Sequence, residues 1–216
     1  MSDPFQSEAD AELGETTVES RVVHRGRTMT FRVDTIERPD GSRHRREIVG
    51  HPGAVAIVAL DEADRLLLVR QFRTAAGRVL LEIPAGTLDV DEATGTVEEP
   101  DSAARRELEE ETGFRAWTWR SLGSFWTAPG FATERMHLYL ASDLVSADED
   151  RLSPDEDEAL MLVRLPWPEA LAAAEDGRIA DAKSIVGILR LARLRASGQA
   201  QAQADSSAGR RSKAPR

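Results

Sequence analysis

The sequence has no cysteine among its 216 residues. Disulfide bonds, thiol nucleophiles and thiolate metal sites are therefore excluded, and a chain without cysteine fits a reducing compartment, for which we expect the cytoplasm. No run of about eighteen apolar residues occurs, so neither a transmembrane helix nor a membrane partner is predicted. The stretch MSDPFQSEADAELGE lacks a basic start and an apolar segment, which argues against a secretory signal.

Basic residues are fewer than acidic ones. The chain carries 28 lysine and arginine residues against 38 aspartate and glutamate residues, which gives a net charge of −10. Proteins that bind nucleic acid usually present a basic face, and here only the last few residues are basic, so no nucleic-acid partner is expected. An acidic protein can still bind an anionic substrate where a metal cation or a group of arginines neutralises it. The sequence contains no P-loop, GxGxxG or GxSxG motif.

The hydrophobic pattern divides the chain into four parts. Residues 1–17 are acidic and polar, and residues 197–216 are of low complexity, so a disordered arm and a disordered tail are predicted. Short alternating segments within 18–52 predict an N-terminal β module, and 53–196 combines apolar strands with three helical segments. This mixture predicts an α+β fold.

A cluster of acidic residues lies in the stretch RRELEEETGF, residues 105–114. Because an α-helix turns about 100° per residue, Glu107 and Glu111 lie about 40° apart on one face, with Glu110 near its edge. Like charges at this spacing destabilise a helix, which suggests that a cation belongs between them. Carboxylate oxygens suit Mg²⁺, and Arg106 is spaced to hold Glu110 at i+4. For the cluster alone, a solvated acidic helix surface is the alternative interpretation.

The residues around this cluster resemble the signature of the Nudix hydrolases. Glu98, seven intervening residues and the segment RELEEETGF from Arg106 to Phe114 match every position of its second half. The first half departs, because eleven residues instead of five separate Gly86 from Glu98, which indicates a six-residue insertion around DVDEATG. The resemblance implies a mixed β-sheet sandwiched between helices. It also implies hydrolysis of a nucleoside diphosphate compound with Mg²⁺ as cofactor, for which Mn²⁺ can substitute.

Further segments resemble one branch of that family, the ADP-ribose pyrophosphatases. They are VRQFR, LEIPAGTLD, TAPGFATERMHLYLA and GRIADAKSIVGIL, in this order. The resemblance implies hydrolysis of ADP-ribose to AMP and ribose 5-phosphate, and a homodimer that exchanges the small N-terminal sheet of 18–52. Another nucleoside diphosphate sugar or nucleoside diphosphate-X compound is the alternative substrate. A ligand-sensing regulator without catalysis is the alternative function.

The same resemblance implies which residues form the site. The metal ligands are the backbone carbonyl of Ala85 and the carboxylates of Glu107, Glu111 and Glu158, and the catalytic residues are Glu156, Glu110 and Arg106. The segment PDEDEAL supplies both Glu156, the expected general base, and Glu158, the expected added ligand. The opposite assignment within that pair stays open.

Four more residues are candidates for contacts with the substrate. Arg73 ends a strand and is expected to neutralise phosphates, because a guanidinium offers paired donors to phosphate oxygens. Arg46 is the candidate for the nucleoside, from this subunit or its partner, in competition with the neighbouring arginines. Glu82 on a buried strand is expected to accept hydrogen bonds from the substrate, because a buried carboxylate needs a partner. Glu134, in the loop before RMHLYL, is a comparable candidate.

Overall fold

The computed structural model describes residues 8–91, 93–147, 152 and 159–211. The chain divides into two compact units, one comprising Met1–Gly53 with Trp126–Arg135 and the other comprising Ala54–Phe125 with Met136–Arg216. The loop 126–135 therefore belongs with the N-terminal unit. No local pattern in the sequence indicates this, because the loop and that unit are far apart along the chain.

The first unit is built on a three-stranded antiparallel sheet in the order β1-β2-β3. Its strands are β1 Thr16–Arg25, β2 Thr30–Glu37 and β3 Arg43–Gly50, and a 3-10 helix, Glu8–Leu13, precedes them. Gly41 has a φ of 78° and donates its backbone N–H to the carbonyl of Arg38, which forms the turn that Pro39-Asp40-Gly41 predicts. The small N-terminal β-sheet is thus confirmed.

The second unit contains a seven-stranded sheet with the central order β10-β5-β4-β9-β8, in which β6 pairs with β5 and β7 pairs with β4. The strands are β4 Ala54–Leu60, β5 Arg65–Arg73, β6 Arg78–Glu82, β7 Ala85–Thr87, β8 Phe114–Trp126, β9 Arg135–Ser146 and β10 Met161–Pro166. Strands β4 and β9 run parallel, whereas β5 is antiparallel to β10, β4 and β6. The sheet is therefore mixed, as predicted.

Helices cover both faces of this sheet, which explains why its central strand is apolar throughout. The helices are α1 Pro100–Thr112, α2 Trp167–Glu175 and α3 Ala182–Arg211. Successive side chains of a strand point to opposite faces, so Ala56 and Val58 pack with α2 and α3, whereas Val55 and Ile57 pack with α1. The α+β fold with a sheet sandwiched between helices is confirmed.

Helix α1 has clear physical start and stop signals. Pro100 occupies its first turn, where a missing backbone N–H costs nothing. The cap position is Glu99, which makes no side-chain capping bond. Gly113 ends the helix with a left-handed φ of 71°. Ala104 and Leu108 are fully buried and fix which face of the helix meets the sheet.

Regular secondary structure extends towards both ends of the chain. Strand β1 begins at Thr16, and α3 continues to Arg211. The boundaries of the predicted arm at 1–17 and of the predicted tail at 197–216 remain predictions. The segment after 197 is rich in alanine and glutamine, which favour helix, so its low complexity does not prevent helix formation. Within the described ranges, no helix combines the length and the apolar character needed to cross a membrane.

Candidate active site

The carboxylate of Glu107 lies directly against the backbone of β7. A Cβ atom built on Gly86 would lie 1.9 Å from Cδ of Glu107, a distance that no pair of such atoms can adopt. Glu107 itself is only 8% exposed. The glycine of the IPAG segment is therefore needed because only a residue without a side chain leaves room for this carboxylate.

Arg106 holds three carboxylates together, those of Glu98, Glu107 and Glu110. Its guanidinium donates hydrogen bonds of 2.8 Å to Glu107 and to Glu110, and one of 2.9 Å to Glu98. A further bond of 3.3 Å reaches the carbonyl of Thr87. Burial opposes the charged form of Arg106, but the bonds to Glu98 and Glu110 and the charge of Glu107 outweigh it, so the pKa of Arg106 lies above its ordinary value. The predicted pairing of Arg106 with Glu110 is present.

The insertion between Gly86 and Glu98 folds back on itself and leaves Glu98 in place. Val90 and Val97 form an antiparallel bridge, and the backbone N–H of Glu98 donates to the carbonyl of Asp89 at 2.8 Å. Gly95 turns the chain with a φ of 71°. Burial favours the neutral form of Glu98, but the hydrogen bonds from Arg106 prevail and lower the pKa of this carboxyl. The inserted residues thus form a short loop that leaves Glu98 within hydrogen-bonding distance of Arg106.

Glu111 lies one turn beyond Glu107 and faces the same backbone segment. Its carboxylate, on a residue 6% exposed, accepts a hydrogen bond of 3.0 Å from the backbone N–H of Ala85. Glu107 and Glu111 therefore both meet the Ala85–Gly86 segment from one face of α1. Within the described ranges, no three acidic or histidine side chains converge closely enough to form a complete metal site. The donors present here are two carboxylates and the backbone of β7.

Glu109 belongs to the same helix but has a different environment. Arg115 donates two hydrogen bonds of 2.7 Å to its carboxylate, and the backbone N–H of Leu152 donates a third. The bond from Arg115 is the main reason that the pKa of Glu109 lies below its ordinary value. Glu109 is therefore a structural member of the glutamate cluster, with partners distinct from those of the other three.

A second charged cluster surrounds Glu82, which is 1% exposed. Arg73 donates hydrogen bonds of 2.9 and 2.7 Å to its two carboxylate oxygens, and Lys183 bonds to one of the same oxygens. Burial alone would raise the pKa of Glu82, but the hydrogen bonds and charges of Arg73 and Lys183 outweigh burial. The pKa of Glu82 therefore lies below its ordinary value, and the carboxyl stays ionised. The hydrogen bonds of Arg73 to Glu82 raise the pKa of Arg73, and the charges of Glu111 and Asp181 add to the effect.

This second cluster adds one residue to the predicted ones. Glu82, which the sequence predicts to accept hydrogen bonds from the substrate, accepts them on both of its oxygens from cations of the protein, because a carboxylate this deeply buried must be neutralised locally. Its contact with the substrate remains a prediction. Lys183 was not among the predicted site residues. It follows Asp181, which caps the start of α3 by accepting the backbone N–H of Ser184 at 3.0 Å. The segment GRIADAKSIVGIL contains this lysine, but nothing local in it indicates its partner.

The two remaining substrate candidates lie in the N-terminal unit. Arg46 donates two hydrogen bonds to the carboxylate of Glu15, one of them 3.0 Å long. Glu134 accepts a hydrogen bond from the hydroxyl of Thr127 and lies 3.7 Å from the ring of His51. Burial lowers the pKa of His51, and the charge of Glu134 opposes that shift. Both candidates are therefore engaged within their own unit.

The acidic segment that precedes β10 contains the last two predicted residues. Glu156 and Glu158 lie outside the described residues. Their assignments as base and ligand, in either order, remain predictions.

Two sequence models match the chain, and together they span residues 15–185. The first is the nucleoside diphosphate sugar hydrolase N-terminal domain, which matches residues 15–49. The second is the NUDIX domain, which matches residues 50–185, more than half of the chain.

Individual proteins are also similar to this chain over most of its length. The methanol dehydrogenase activator of Bacillus methanolicus is 40% identical over 174 residues, 81% of this chain and 90% of that protein. The ADP-ribose pyrophosphatase of Bacillus subtilis is 38% identical over 176 residues, 82% of this chain and 91% of its own length. A crystal structure described as an ADP compounds hydrolase superposes with a TM-score of 0.71 at 28% identity, covering 86% of this chain and 95% of the other. With the glutamate-bearing helix, the glycine beneath it and the mixed sheet in place, the chain belongs to the NUDIX domain family.

Proposed function

We propose that this protein hydrolyses the pyrophosphate of ADP-ribose to AMP and ribose 5-phosphate with Mg²⁺, for which Mn²⁺ can substitute. The observation that carries the proposal is the approach of Glu107 and Glu111, from one face of α1, to the Ala85–Gly86 backbone. The name of the Bacillus subtilis relative supports ADP-ribose as the substrate. The N-terminal family supports the wider class of nucleoside diphosphate sugars, which remains the second candidate.

The donor set fits a hard divalent cation. Nudix hydrolases generally depend on divalent metals, and Mg²⁺ prefers oxygen ligands and keeps part of its water shell. Glu107, Glu111 and the carbonyl of Ala85 would hold it, and the absence of a side chain at Gly86 is what allows the carboxylate of Glu107 to lie there. When bound, the cation neutralises the pyrophosphate and lowers the pKa of water. Glu158 is the proposed additional ligand.

The remaining residues of the site bind the substrate or orient other side chains. Arg106 keeps Glu107 and Glu110 in fixed positions through its 2.8 Å hydrogen bonds. Glu82 fixes Arg73 by engaging its Nε and Nη2 atoms, so the Nη1 edge of that guanidinium is the one oriented towards a phosphate oxygen. Glu156 is the proposed base that removes the proton of the attacking water, with Glu158 as its alternative. Arg46 is proposed to contact the nucleoside, from this subunit or its partner. Glu134 is proposed to accept a hydrogen bond from the substrate.

We also propose that the working form is a homodimer that exchanges the N-terminal sheet. Every residue of β1 is exposed, including Val18, Val22 and Val23. A strand with no buried residue gains little from folding unless a second surface covers it. Light scattering coupled to size exclusion should give twice the chain mass of 23.7 kDa, and a mass of one chain would contradict the proposal.

The experiment that tests the proposed reaction compares two glutamate variants of α1. Purified wild type is assayed with ADP-ribose, ADP-glucose and GDP-mannose in excess Mg²⁺, and the products are separated by chromatography. Glu111→Gln should lower kcat by several orders of magnitude, whereas Glu109→Gln should stay close to wild type because its partner is Arg115. Faster cleavage of ADP-glucose or GDP-mannose than of ADP-ribose would select the second candidate. No cleavage of any compound by the wild type would leave the regulator as the better account.

A further inference from the structure

Lysine is rare in this chain, and one lysine lies where a cation is costly. Of the 28 lysine and arginine residues, only Lys183 and Lys213 are lysines. Lys183 is the second residue of α3, within the first turn, where the helix macrodipole disfavours positive charge. Its side chain is only 11% exposed, so water compensates little of that charge. Neighbouring side chains must therefore neutralise it.

Two carboxylates neutralise Lys183. Its Nζ atom donates to Oε2 of Glu82 and lies 3.1 Å from Oδ2 of Asp181. Arg73 donates to both oxygens of the same Glu82. The cluster therefore contains two cations, Arg73 and Lys183, and two carboxylates, Glu82 and Asp181, and these four charges cancel.

The two cations share Glu82, and this sharing determines how much positive charge Arg73 keeps for a ligand. Oε2 of Glu82 accepts hydrogen bonds from both Nη2 of Arg73 and Nζ of Lys183. Without Lys183, Glu82 would compensate Arg73 alone, and Asp181 would leave the cluster with one net negative charge. The hydrogen bonds to Glu82 raise the pKa of Arg73, and the charge of Asp181 adds to that effect. The charges of the whole cluster thus act on this guanidinium.

We propose that Lys183 is a positioning residue that leaves the charge of Arg73 available to the pyrophosphate of the substrate. This inference rests on the proposed function, in which the Nη1 edge of Arg73 meets a phosphate oxygen. Lys183 acts through Glu82, because it compensates part of that carboxylate's charge and holds the carboxylate that orients Arg73. A pyrophosphate is anionic, so a cluster with one net negative charge would repel it, whereas a neutral cluster does not. Lys183 therefore acts on substrate binding more than on the chemical step.

The test compares two substitutions that break the same ion pair but change the charge of the cluster in opposite directions. Lys183→Met leaves the cluster negative, so KM should rise at least about tenfold while kcat changes less than about threefold. Asp181→Asn leaves the cluster positive and keeps a side chain that can cap α3, so KM should stay the same or fall. A merely structural ion pair predicts the same loss in both variants. Arg193→Met, which removes an exposed cation from the same helix, should behave as the wild type does.

A double variant tests whether Lys183 acts through Arg73. In the Arg73→Gln background, Lys183→Met should lower kcat/KM by less than about twofold, because the guanidinium on which Lys183 acts is gone. Lys183→Arg, which restores the charge, should have a KM within about threefold of the wild type. The kinetics use whichever of ADP-ribose, ADP-glucose and GDP-mannose the wild type cleaves fastest, so the result does not depend on which of them is the substrate.

Three results would overturn the proposal and leave the proposed reaction in place. They are a wild-type KM in Lys183→Met, an equal rise of KM in Lys183→Met and Asp181→Asn, and independent effects of Lys183 and Arg73 in the double variant. Circular dichroism shows whether each variant is folded. If Lys183→Met does not fold, Asp181→Asn decides alone, because a KM raised about tenfold in that variant contradicts the charge argument. A wild type that cleaves none of the three nucleotides would instead contradict the proposed function, and this inference with it.

Discussion

Gly86 and Arg106 determine where the carboxylate of Glu107 can lie. The glycine leaves the space, and the arginine supplies the hydrogen bond that keeps the carboxylate in it. A carboxylate held from two sides loses little entropy when it engages a ligand, so the geometry of the proposed metal site exists before binding. This geometry depends on the space above Gly86, because the backbone of β7 cannot move without disturbing its pairing with β4.

A methyl group at Gly86 should therefore displace Glu107 and reduce catalysis. We expect Gly86→Ala to lower kcat for ADP-ribose about 100-fold, the order of loss that a misplacement of about 1 Å produces. The matched control is Gly198→Ala, where an added Cβ meets nothing within 4 Å. Steady-state kinetics measure the effect, and far-ultraviolet circular dichroism confirms that both variants are folded. A Gly86→Ala enzyme with wild-type kcat would show that Glu107 does not need this position.

At the level of helices and strands, the start of α3 holds the segment that leads to β7. The hydroxyl of Ser184 accepts the backbone N–H of Ile83 at 2.8 Å and donates to Asp181 at 2.6 Å. Ser184 is fully buried, so no water can replace it. One residue earlier, Lys183 reaches Glu82. The helix terminus therefore fixes the strand end that carries the IPAG segment.

Removing the Ser184 hydroxyl should destabilise the protein. Ser184→Ala leaves a buried backbone N–H without an acceptor, which costs about 1–3 kcal/mol in the free energy of unfolding. Ser197→Ala removes an exposed hydroxyl from the same helix and should change stability by less than about 0.5 kcal/mol. Urea denaturation monitored by tryptophan fluorescence gives both values. Equal stabilities of the two variants would mean that the Ile83 contact contributes nothing.

The parts of the site that the sequence predicted are those encoded by local spacing. The face shared by Glu107 and Glu111 and the Arg106–Glu110 pair both follow from helix geometry within a few residues. The contact between Lys183 and Glu82 joins residues 101 positions apart, so no periodicity could indicate it. The pairing of Arg46 with Glu15 and the placement of the loop 126–135 with the N-terminal unit are likewise products of tertiary structure.

For the whole molecule, carboxylates that basic side chains hold in the ionised form make stability depend on pH. The pKa values of Glu82, Glu98 and Glu109 lie below their ordinary value of 4.5. Because the folded state binds protons less readily at these groups than the unfolded state does, their contribution is complete above pH 4.5 and is lost as the pH falls below it. The free energy of unfolding should therefore decline steeply in acid.

Glu82→Gln tests this dependence at the most buried of these groups. The variant should be less stable than wild type at pH 7, because Arg73 and Lys183 lose the charge that compensates them. The difference should shrink as the pH falls below 4.5, since the unfolded wild-type chain then binds a proton at Glu82 more readily than the folded protein does. Thermal unfolding followed by calorimetry across the range measures the difference. A difference that stays constant with pH would contradict the assignment of an ionised, cation-held Glu82.

The most direct measurement is a Mn²⁺ titration of the wild type and three variants of α1, with free Mn²⁺ followed by electron paramagnetic resonance. Glu107→Gln and Glu111→Gln should each raise the Kd for Mn²⁺ at least about tenfold, because each removes a proposed ligand. Glu109→Gln should bind as the wild type does, since Arg115 and Leu152 are its partners. If all four proteins bind Mn²⁺ equally, or if only Glu109→Gln loses affinity, the carboxylates that face Ala85 and Gly86 do not hold the metal.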